Sequence, residues 1–466
     1  MIKKIVSIKR TLSKQLKNLI SLIITGLLLS GLCIAQNSEK PNVIVILTDD
    51  QGSIDINCYG ALDLYTPNMD KLVASGIKFT QFYAAPVCSP TRASIMTGKT
   101  PQKIGITEVV RSREFENEGL ASEEYTMAEM FKNAGYRTAI IGKWHLGSSK
   151  EKQPNAQGFD HAFGPLNGGF DNYSHSSYYT NGANYHDLYL NGEEIYRDGE
   201  FFPNLMLEEA ERFLEINKSN PFFLYYALNV PHYPYQGTKK WLDYYNDKGV
   251  EYPRNLYAAF LSTMDDNIGS LHSKLESLGL KENTIIVFQS DNGFSNEQRA
   301  HGGGGSSGPY RGHKGSLFEG GIRVPAAISW PKGIKKGQVR NQIAVVADWM
   351  PTLADLCAIE LNESNLDGKS LLPILNDPQH ETLHNTFCWE YQVQKAVRSG
   401  NWKLLINPVI KDRFYKNTIK QKSPYFLVNL KDDIGETTNL AENYPEKVKE
   451  LEAIFNKQDI RNNKRK

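Results

Sequence analysis

Cysteine is scarce in this chain, with five residues in 466. No CxxC pair occurs, and the spacings of Cys33, Cys58, Cys88, Cys357 and Cys388 fit neither a zinc site nor a disulfide framework. Net charge is lacking too: 53 basic residues face 52 acidic ones, so no global basic field points to nucleic acid or an anionic membrane. An affinity for an anion must therefore be local. Apolar runs of membrane-spanning length are absent, since the run Leu19 to Ile34 has 16 residues where a span needs about 20. Internal repeats are absent as well, which excludes a solenoid.

That apolar run follows Lys3, Lys4, Lys9, Arg10, Lys14 and Lys17, with no acidic residue among them, and precedes Ala35, a small residue suited to cleavage before Gln36. Residues 1–35 read as a signal peptide, and an exported protein without a stable membrane span, periplasmic or secreted, is expected. A lipoprotein through Cys33 ranks lower because bulky Leu32 precedes it. Without the leader, 47 basic groups face 52 acidic ones, a net charge of −5.

What is present is a series of apolar runs that end in polar residues. Asn42 to Asp50 (NVIVILTDD) ends in two aspartates, and Tyr136 to His145 (YRTAIIGKWH) in a lysine and a histidine. Pro221 to His232 (PFFLYYALNVPH) ends in Pro-His, and Asn283 to Gly293 (NTIIVFQSDNG) in Ser-Asp-Asn-Gly. Continuous runs of this kind fit strands buried on both faces of a mostly parallel sheet. Helical stretches lie between them: Asn68 to Gly76, Thr126 to Gly135, and Ala258 to Gly279 with apolar residues near 3.6 spacing. Alternation of this sort predicts an α/β fold, a large mostly parallel (mixed) sheet flanked by helices. Residues 36–370 are assigned to it. Residues 371–466 change texture, with short strand candidates within Phe387 to Ile406 and Tyr425 to Asp433 and a helix over Tyr444 to Phe455. They are read as a smaller α+β subdomain carrying an antiparallel sheet, ending in a solvated basic tail, RNNKRK.

Ligands collect outside the carboxyl ends of parallel strands. The four runs would bring Asp49, Asp50, Lys143, His145, His232, Asp291 and Asn292 to one edge. Asp49, Asp50, Asp291 and Asn292 offer only oxygen, which selects Ca²⁺ or Mg²⁺ over zinc; taken singly, such pairs also serve as helix caps and turns. In Val87 to Ser94 (VCSPTRAS), Ser89 can cap a helix with Pro90 at its first position, running to about Gly98. Cys88 then sits at the positive end of that helix with Arg92 one turn on, a setting for a tetrahedral oxyanion. A thiolate there would have a lowered pKa, yet a soft thiolate matches a hard cation poorly.

The residues Cys88 to Arg92 resemble the C-x-P-x-R signature of the type I, formylglycine-dependent sulfatases of the alkaline phosphatase superfamily, and of bacterial exported polysaccharide sulfatases among them. The resemblance extends in order through NVIVILTDDQG, CSPTRASIMTGK, GYRTAIIGKWHLG, SDNG, GHKGSLFEGGIRVPA and LVNLKDDIGETTNLAEN. It implies that Cys88 is converted to Cα-formylglycine (3-oxoalanine) by a formylglycine-generating or anaerobic sulfatase-maturating enzyme. It implies further that Asp49, Asp50, Asp291, Asn292 and modified Cys88 bind one Ca²⁺, and that Arg92, Lys143, His145, His232 and Lys314 surround the sulfate. In the implied mechanism a hydroxyl of the formylglycine hydrate attacks sulfur, His232 with Lys314 protonates the leaving alcohol, and His145 deprotonates the second hydroxyl to expel sulfate.

The substrate implied is a sulfated carbohydrate, an oligosaccharide from a glycosaminoglycan or an algal polysaccharide such as ulvan, carrageenan or fucan. A phosphate or phosphonate monoester hydrolase and a noncatalytic sugar-binding homologue are the alternatives. The polar, aromatic segment Asn167 to Asp187 is read as a sugar-binding loop through Tyr173, His175 and Tyr178, with Arg311 and His313 as further substrate contacts. The glycine-rich run His301 to His313 does not follow a strand and is read as a flexible loop near the site, not a nucleotide motif. His161, His175, His186, His272, His380 and His384 are expected on loops or helix surfaces, outside the sulfate site.

Overall fold

The computed structural model describes residues 40–111, 118–178, 184–409 and 423–463, without the side chains of 363 and 459–463. The leader, and the tail residues beyond Asn463, lie outside the described residues. Strands β1 (Asn42–Thr48), β2 (Ile77–Tyr83), β3 (Arg137–Gly142), β4 (His161–Gly164), β5 (Tyr189–Leu190), β6 (Glu193–Glu194), β7 (Phe222–Ala227), β8 (Thr284–Ser290), β9 (Arg323–Ser329), β10 (Gln338–Arg340) and β11 (Ala344–Val345) form one sheet. Its order is β10-β2-β9-β8-β1-β7-β3-β4-β5-β6, with β11 also on β2. The pairings β8-β1, β1-β7, β7-β3 and β3-β4 are parallel, whereas β8-β9 and β9-β2 are antiparallel. The four runs singled out in the sequence are the four central neighbours.

Period-2 alternation explains why β1 needs apolar residues throughout. Val43, Val45 and Leu47 enter one core with helices α2 (Cys88–Thr97), α3 (Met127–Asn133) and α6 (Trp349–Leu356). Ile44 and Ile46 enter the other with α1 (Pro67–Ala74), α4 (Phe202–Asn217) and α5 (Arg254–Ser277). Local signals set the helix ends. Thr126 and Glu129 form a capping box at the start of α3, and Gly98, left-handed at φ 65°, closes α2. The start of α2 differs from expectation: the helix begins at Cys88 with extended Val87 as its cap. Ser89 instead accepts a hydrogen bond from the Val110 N–H at 3.0 Å.

Strands β12 (Thr386–Tyr391), β13 (Gln394–Ser399), β14 (Trp402–Ile406) and β15 (Tyr425–Asn429) form a separate antiparallel sheet. One face packs on residues near β2 and β9, and the other on α7 (Pro445–Asn463). Between the sheets lies a fully buried charge cluster. Lys403 Nζ is 2.9 Å from Glu319 Oε1 and 2.9 Å from Glu436 Oε1, and the Tyr83 hydroxyl donates to Glu319 at 2.7 Å. Among the described residues, Cys58, Cys88, Cys357 and Cys388 are free thiols, and no helix is long and apolar enough to cross a membrane.

The glycine-rich run is not a loose loop. Arg254 donates to the Gly304 carbonyl at 2.8 Å, and the Ser306 N–H donates to Asp55 at 2.8 Å. A side chain on Gly305 would meet Phe294 Cβ at 2.3 Å, so close packing against Phe294 and Asp55 accounts for the glycine there.

Candidate active site

Because β3, β7, β1 and β8 are parallel neighbours, their carboxyl ends share one edge. The Asp49 N–H donates to the Val230 carbonyl and the Asp291 N–H to the Thr48 carbonyl, both at 3.0 Å, locking the strand exits together. Gly142 (φ 115°) ends β3 where a Cβ would fall 1.9 Å from the Ala227 carbonyl. Only glycine allows Lys143 to leave the sheet at that point. Strand β2 runs parallel to β8 through the intervening antiparallel β9, so it delivers Cys88 to the same edge. Asp50 (φ 62°) and His145 (φ 61°) are left-handed without being glycine, a local cost of order 1–3 kcal/mol of the kind found at functional sites.

Nine of the expected residues meet there. Cys88 Sγ lies 3.2 Å from His145 Nδ1. Arg92 donates from Nη1 to the Lys143 carbonyl at 2.8 Å and from Nη2 to Asp291 at 3.1 Å. Lys143 Nζ is 2.6 Å from Asp49 Oδ2, Lys314 Nζ is 2.9 Å from Asp50 Oδ1, and His232 Nε2 is 3.6 Å from Asp50 Oδ2.

Hydrogen bonds to carbonyls fix both imidazoles, because a carbonyl can only accept. His145 Nε2 faces the Val110 carbonyl at 3.1 Å, so Nε2 carries the proton and Nδ1 turns a lone pair to residue 88. His232 Nδ1 faces the Tyr233 carbonyl at 2.7 Å, which leaves Nε2 for the site. Burial, reinforced by Lys143 and Arg92, holds His145 well below the usual histidine range and therefore neutral. Burial also lowers His232, with Asp50 opposing.

The expectation for the Cys88 thiol is reversed. Burial raises its pKa despite Lys143 and Lys314, so desolvation outweighs the helix end and the unmodified side chain stays a neutral thiol. The thiol is a poor nucleophile in this environment.

The acidic groups fit a hard cation. Asp49 Oδ1 and Asn292 Oδ1 are buried without a hydrogen-bond partner, although burying such oxygens unpaired is costly. Asn292 Nδ2 donates to Asp50 Oδ1 at 2.7 Å, which assigns the amide oxygen to the open side. Oxygens of Asp49 and Asp291 and Cys88 Sγ lie within 4.8 Å of one another. Crowding shows in opposite shifts: burial and Asp49 raise Asp291, whereas Lys143, His232 and Arg92 overcome burial to lower Asp49. A divalent ion on these oxygens would relieve that repulsion.

The residues expected to touch substrate divide. The Tyr178 hydroxyl lies 3.3 Å from His232 Nδ1. His313 adjoins Lys314, with Nε2 2.7 Å from Asn296 Nδ2. Tyr173 is exposed and stacks on Phe201 at 5.1 Å. Two others are committed elsewhere. Arg311 is buried, donating to the Glu436 carbonyl at 3.0 Å with its guanidinium over Phe318. His175 is fully buried, stacked on Phe170, with Nε2 against the Glu200 carbonyl at 3.0 Å. Sequence reasoning missed the carbonyls of Val110 and Tyr233 and the hydroxyl of Thr91, which donates to the Asp291 carbonyl at 2.7 Å. Backbone groups leave no trace in residue type.

The chain is similar to known proteins. The family model described as Sulfatase matches residues 41–359, and that described as N-sulphoglucosamine sulphohydrolase, C-terminal, matches residues 312–463. Arylsulfatase J of Mus musculus is 31% identical over 455 residues, covering 89% of this chain and 75% of that protein. N-acetylgalactosamine-6-sulfatase of Rattus norvegicus is 34% identical over 395 residues, covering 80% and 72%. The solved structure of Ps i-CgsB in complex with k-i-k-neocarrahexaose superposes with a TM-score of 0.79 at 29% identity, covering 90% of this chain and 93% of that one. With its edge of carboxylates, paired imidazoles and Cys88-to-Arg92 helix start, this chain belongs to the sulfatase family, the sulfuric ester hydrolases.

Proposed function

We propose that this sulfatase removes sulfate from a carbohydrate, an oligosaccharide cut from a sulfated polysaccharide, with residue 88 matured to formylglycine as the point of attack. The observation that carries it is the convergence of two imidazoles and three cationic side chains on one buried edge around Cys88. The names of two relatives support the substrate class: one acts on N-acetylgalactosamine 6-sulfate, and one was solved with a neocarrahexaose.

When present, formylglycine hydrate supplies an oxygen nucleophile, and a hard divalent ion, Ca²⁺ in this reading, lowers its pKa and polarises sulfate oxygen. Asp49, Asp50, Asp291 and Asn292 would hold that ion. Arg92, Lys143 and Lys314 hold the sulfate oxygens and stabilise the charge that develops on them. His145, neutral with its Nδ1 lone pair on residue 88, accepts the proton there. His232, its Nδ1–H held by Tyr233, turns Nε2 to the leaving alcohol and donates a proton from there in its doubly protonated form, which the Asp50 carboxylate favours against burial. Each such proton transfer is worth about 10² to 10⁴ in rate. Tyr173, Tyr178 and His313 line the approach of the sugar.

The six basic residues and short apolar run of the first 35 residues support export as a periplasmic or secreted protein. A maturating enzyme that oxidises Cys88 is then a necessary partner. The test is sulfate release from a panel of defined sulfated oligosaccharides, beside aryl sulfate and aryl phosphate, on protein whose residue 88 has been identified by mass spectrometry. Release from at least one sugar sulfate is expected. Faster turnover of aryl phosphate would reassign the enzyme to phosphate esters, and matured protein that releases nothing would be a binding homologue.

A further inference from the structure

His175, His186 and Asp198 take no part in the site above, yet a donor atom of each lies within 4.8 Å of the others. They come from three chain segments joined through the backbone. His175 precedes Ser176–Ser177, which pairs antiparallel with Tyr185–His186, Ser176 opposite His186. The Asp187 N–H donates to the His175 carbonyl at 2.8 Å, and the Gly199 N–H beside Asp198 donates to the Tyr173 carbonyl at 2.8 Å.

The imidazole hydrogen bonds determine which nitrogens face inward. His175 Nε2 lies 3.0 Å from the Glu200 carbonyl, so it carries the proton and Nδ1 presents a lone pair. That Nδ1 belongs to a fully buried residue and has no hydrogen-bond partner, a costly state for a polar atom unless a ligand satisfies it. His186 Nδ1 is 3.1 Å from Glu194 Oε1, which leaves Nε2 as its other donor atom. A histidine with one nitrogen on a carbonyl or carboxylate and the other on an open position has the second-shell pattern of a metal ligand.

We propose that His175 Nδ1, His186 Nε2 and an Asp198 oxygen hold a divalent transition-metal ion, Zn²⁺ in the first place, fastening the ribbon to the 196–200 turn. Two imidazoles and one carboxylate suit zinc with water in the fourth position, and nitrogen donors select against calcium. The ion is separate from the oxygen-bound cation of the catalytic edge, and its role is to fix the loop bearing Tyr173 and Tyr178.

Cobalt titration tests this, since four-coordinate Co²⁺ is visible by its d–d bands. Purified protein carrying Cys88→Ser, so that no thiolate competes at the catalytic edge, is saturated with Ca²⁺ and then titrated with Co²⁺. One equivalent is expected to bind with tetrahedral bands, to be displaced by Zn²⁺, and to raise the melting temperature. His186→Asn and Asp198→Asn, neither fully buried, should weaken binding more than tenfold, and Glu194→Gln about tenfold through His186. Folded His186→Asn and Asp198→Asn proteins that bind Co²⁺ as tightly as the parent would overturn the proposal, as would the absence of tetrahedral bands.

Discussion

Replacing Lys403 by Met should destabilise the fold by an amount the charge cluster allows to be bounded. Lys403 is the cation between Glu319 and Glu436, and all three are 0% exposed. Burial opposes the charge on Glu319, but Lys403 and Arg323 hold it below the usual glutamate range; burial together with Glu319 keeps Glu436 above it despite Lys403. Removing one partner of a buried ion pair costs about 3–5 kcal/mol. Unfolding entropy of roughly 2.1 cal/mol/K per residue over the unit Pro41–Lys466 gives about 0.9 kcal/mol/K, so the melting temperature should fall by roughly 3–6 °C. The sign of the pH dependence follows from the raised Glu436. Without Lys403, which holds Glu436 down, the folded variant takes up the proton more readily than the folded parent, so the deficit shrinks as pH falls from about 8 toward the usual glutamate range. Thermal and urea melts at about pH 5.5, 7 and 8 measure it, and Lys403→Met/Glu436→Gln should recover most of the loss. An unchanged melting temperature, a deficit independent of pH, or a double variant weaker than the single one would refute the reasoning.

Other expectations are checked more simply. His145→Gln should lower kcat by about 10² to 10⁴ with little change in KM, measured on an aryl sulfate. Chelation of divalent ions should abolish turnover and lower the melting temperature, with Ca²⁺ restoring both, because Asp49 Oδ1 and Asn292 Oδ1 lose their partner. Glu209 is pulled down to about 2, His161 and Arg212 outweighing burial. Its contribution is therefore present above the ordinary glutamate value and lost as pH falls toward 2, so Glu209→Gln should destabilise at neutral pH and converge with the parent in acid melts. Cys58 and Cys388 are each pushed up to about 12, mainly by burial, so iodoacetamide should spare both in native protein near pH 8 and label both after unfolding.

Sequence legibility followed the physics of burial. Strands β1, β3, β7 and β8 are apolar on both faces and so stand out as runs, and parallel pairing then places their polar ends together. Strand β2 is half-buried and alternates, and β9 carries Pro325 beside a register shift between Val324 and Ala326; neither stands out from its surroundings. Of the side chains expected to be catalytic, Cys88, Arg92, Lys143, His145 and His232 were readable because each follows a run or sits in the Cys88-to-Arg92 signature, whereas Lys314 came from the resemblance alone. Arg311 and His175 were not, because composition marks a loop as polar and aromatic without saying which side chains turn inward. The Cys88 thiol was misjudged for a related reason: the helix end is visible in sequence, whereas complete desolvation depends on segments two hundred residues away.

That same burial has a temporal consequence. Cys88 is 2% exposed, and the lid over it includes Asp291, whose backbone N–H is tied to Thr48 of β1. Under the proposed function, a maturating enzyme would have to meet Cys88 before β8 docks on β1. At about 5–20 residues per second, the two hundred residues separating Arg92 from Asn292 emerge in roughly 10–40 s. Activation and folding thus compete for one interval, and variants that hasten docking of β8 should yield well-folded protein with more unconverted cysteine.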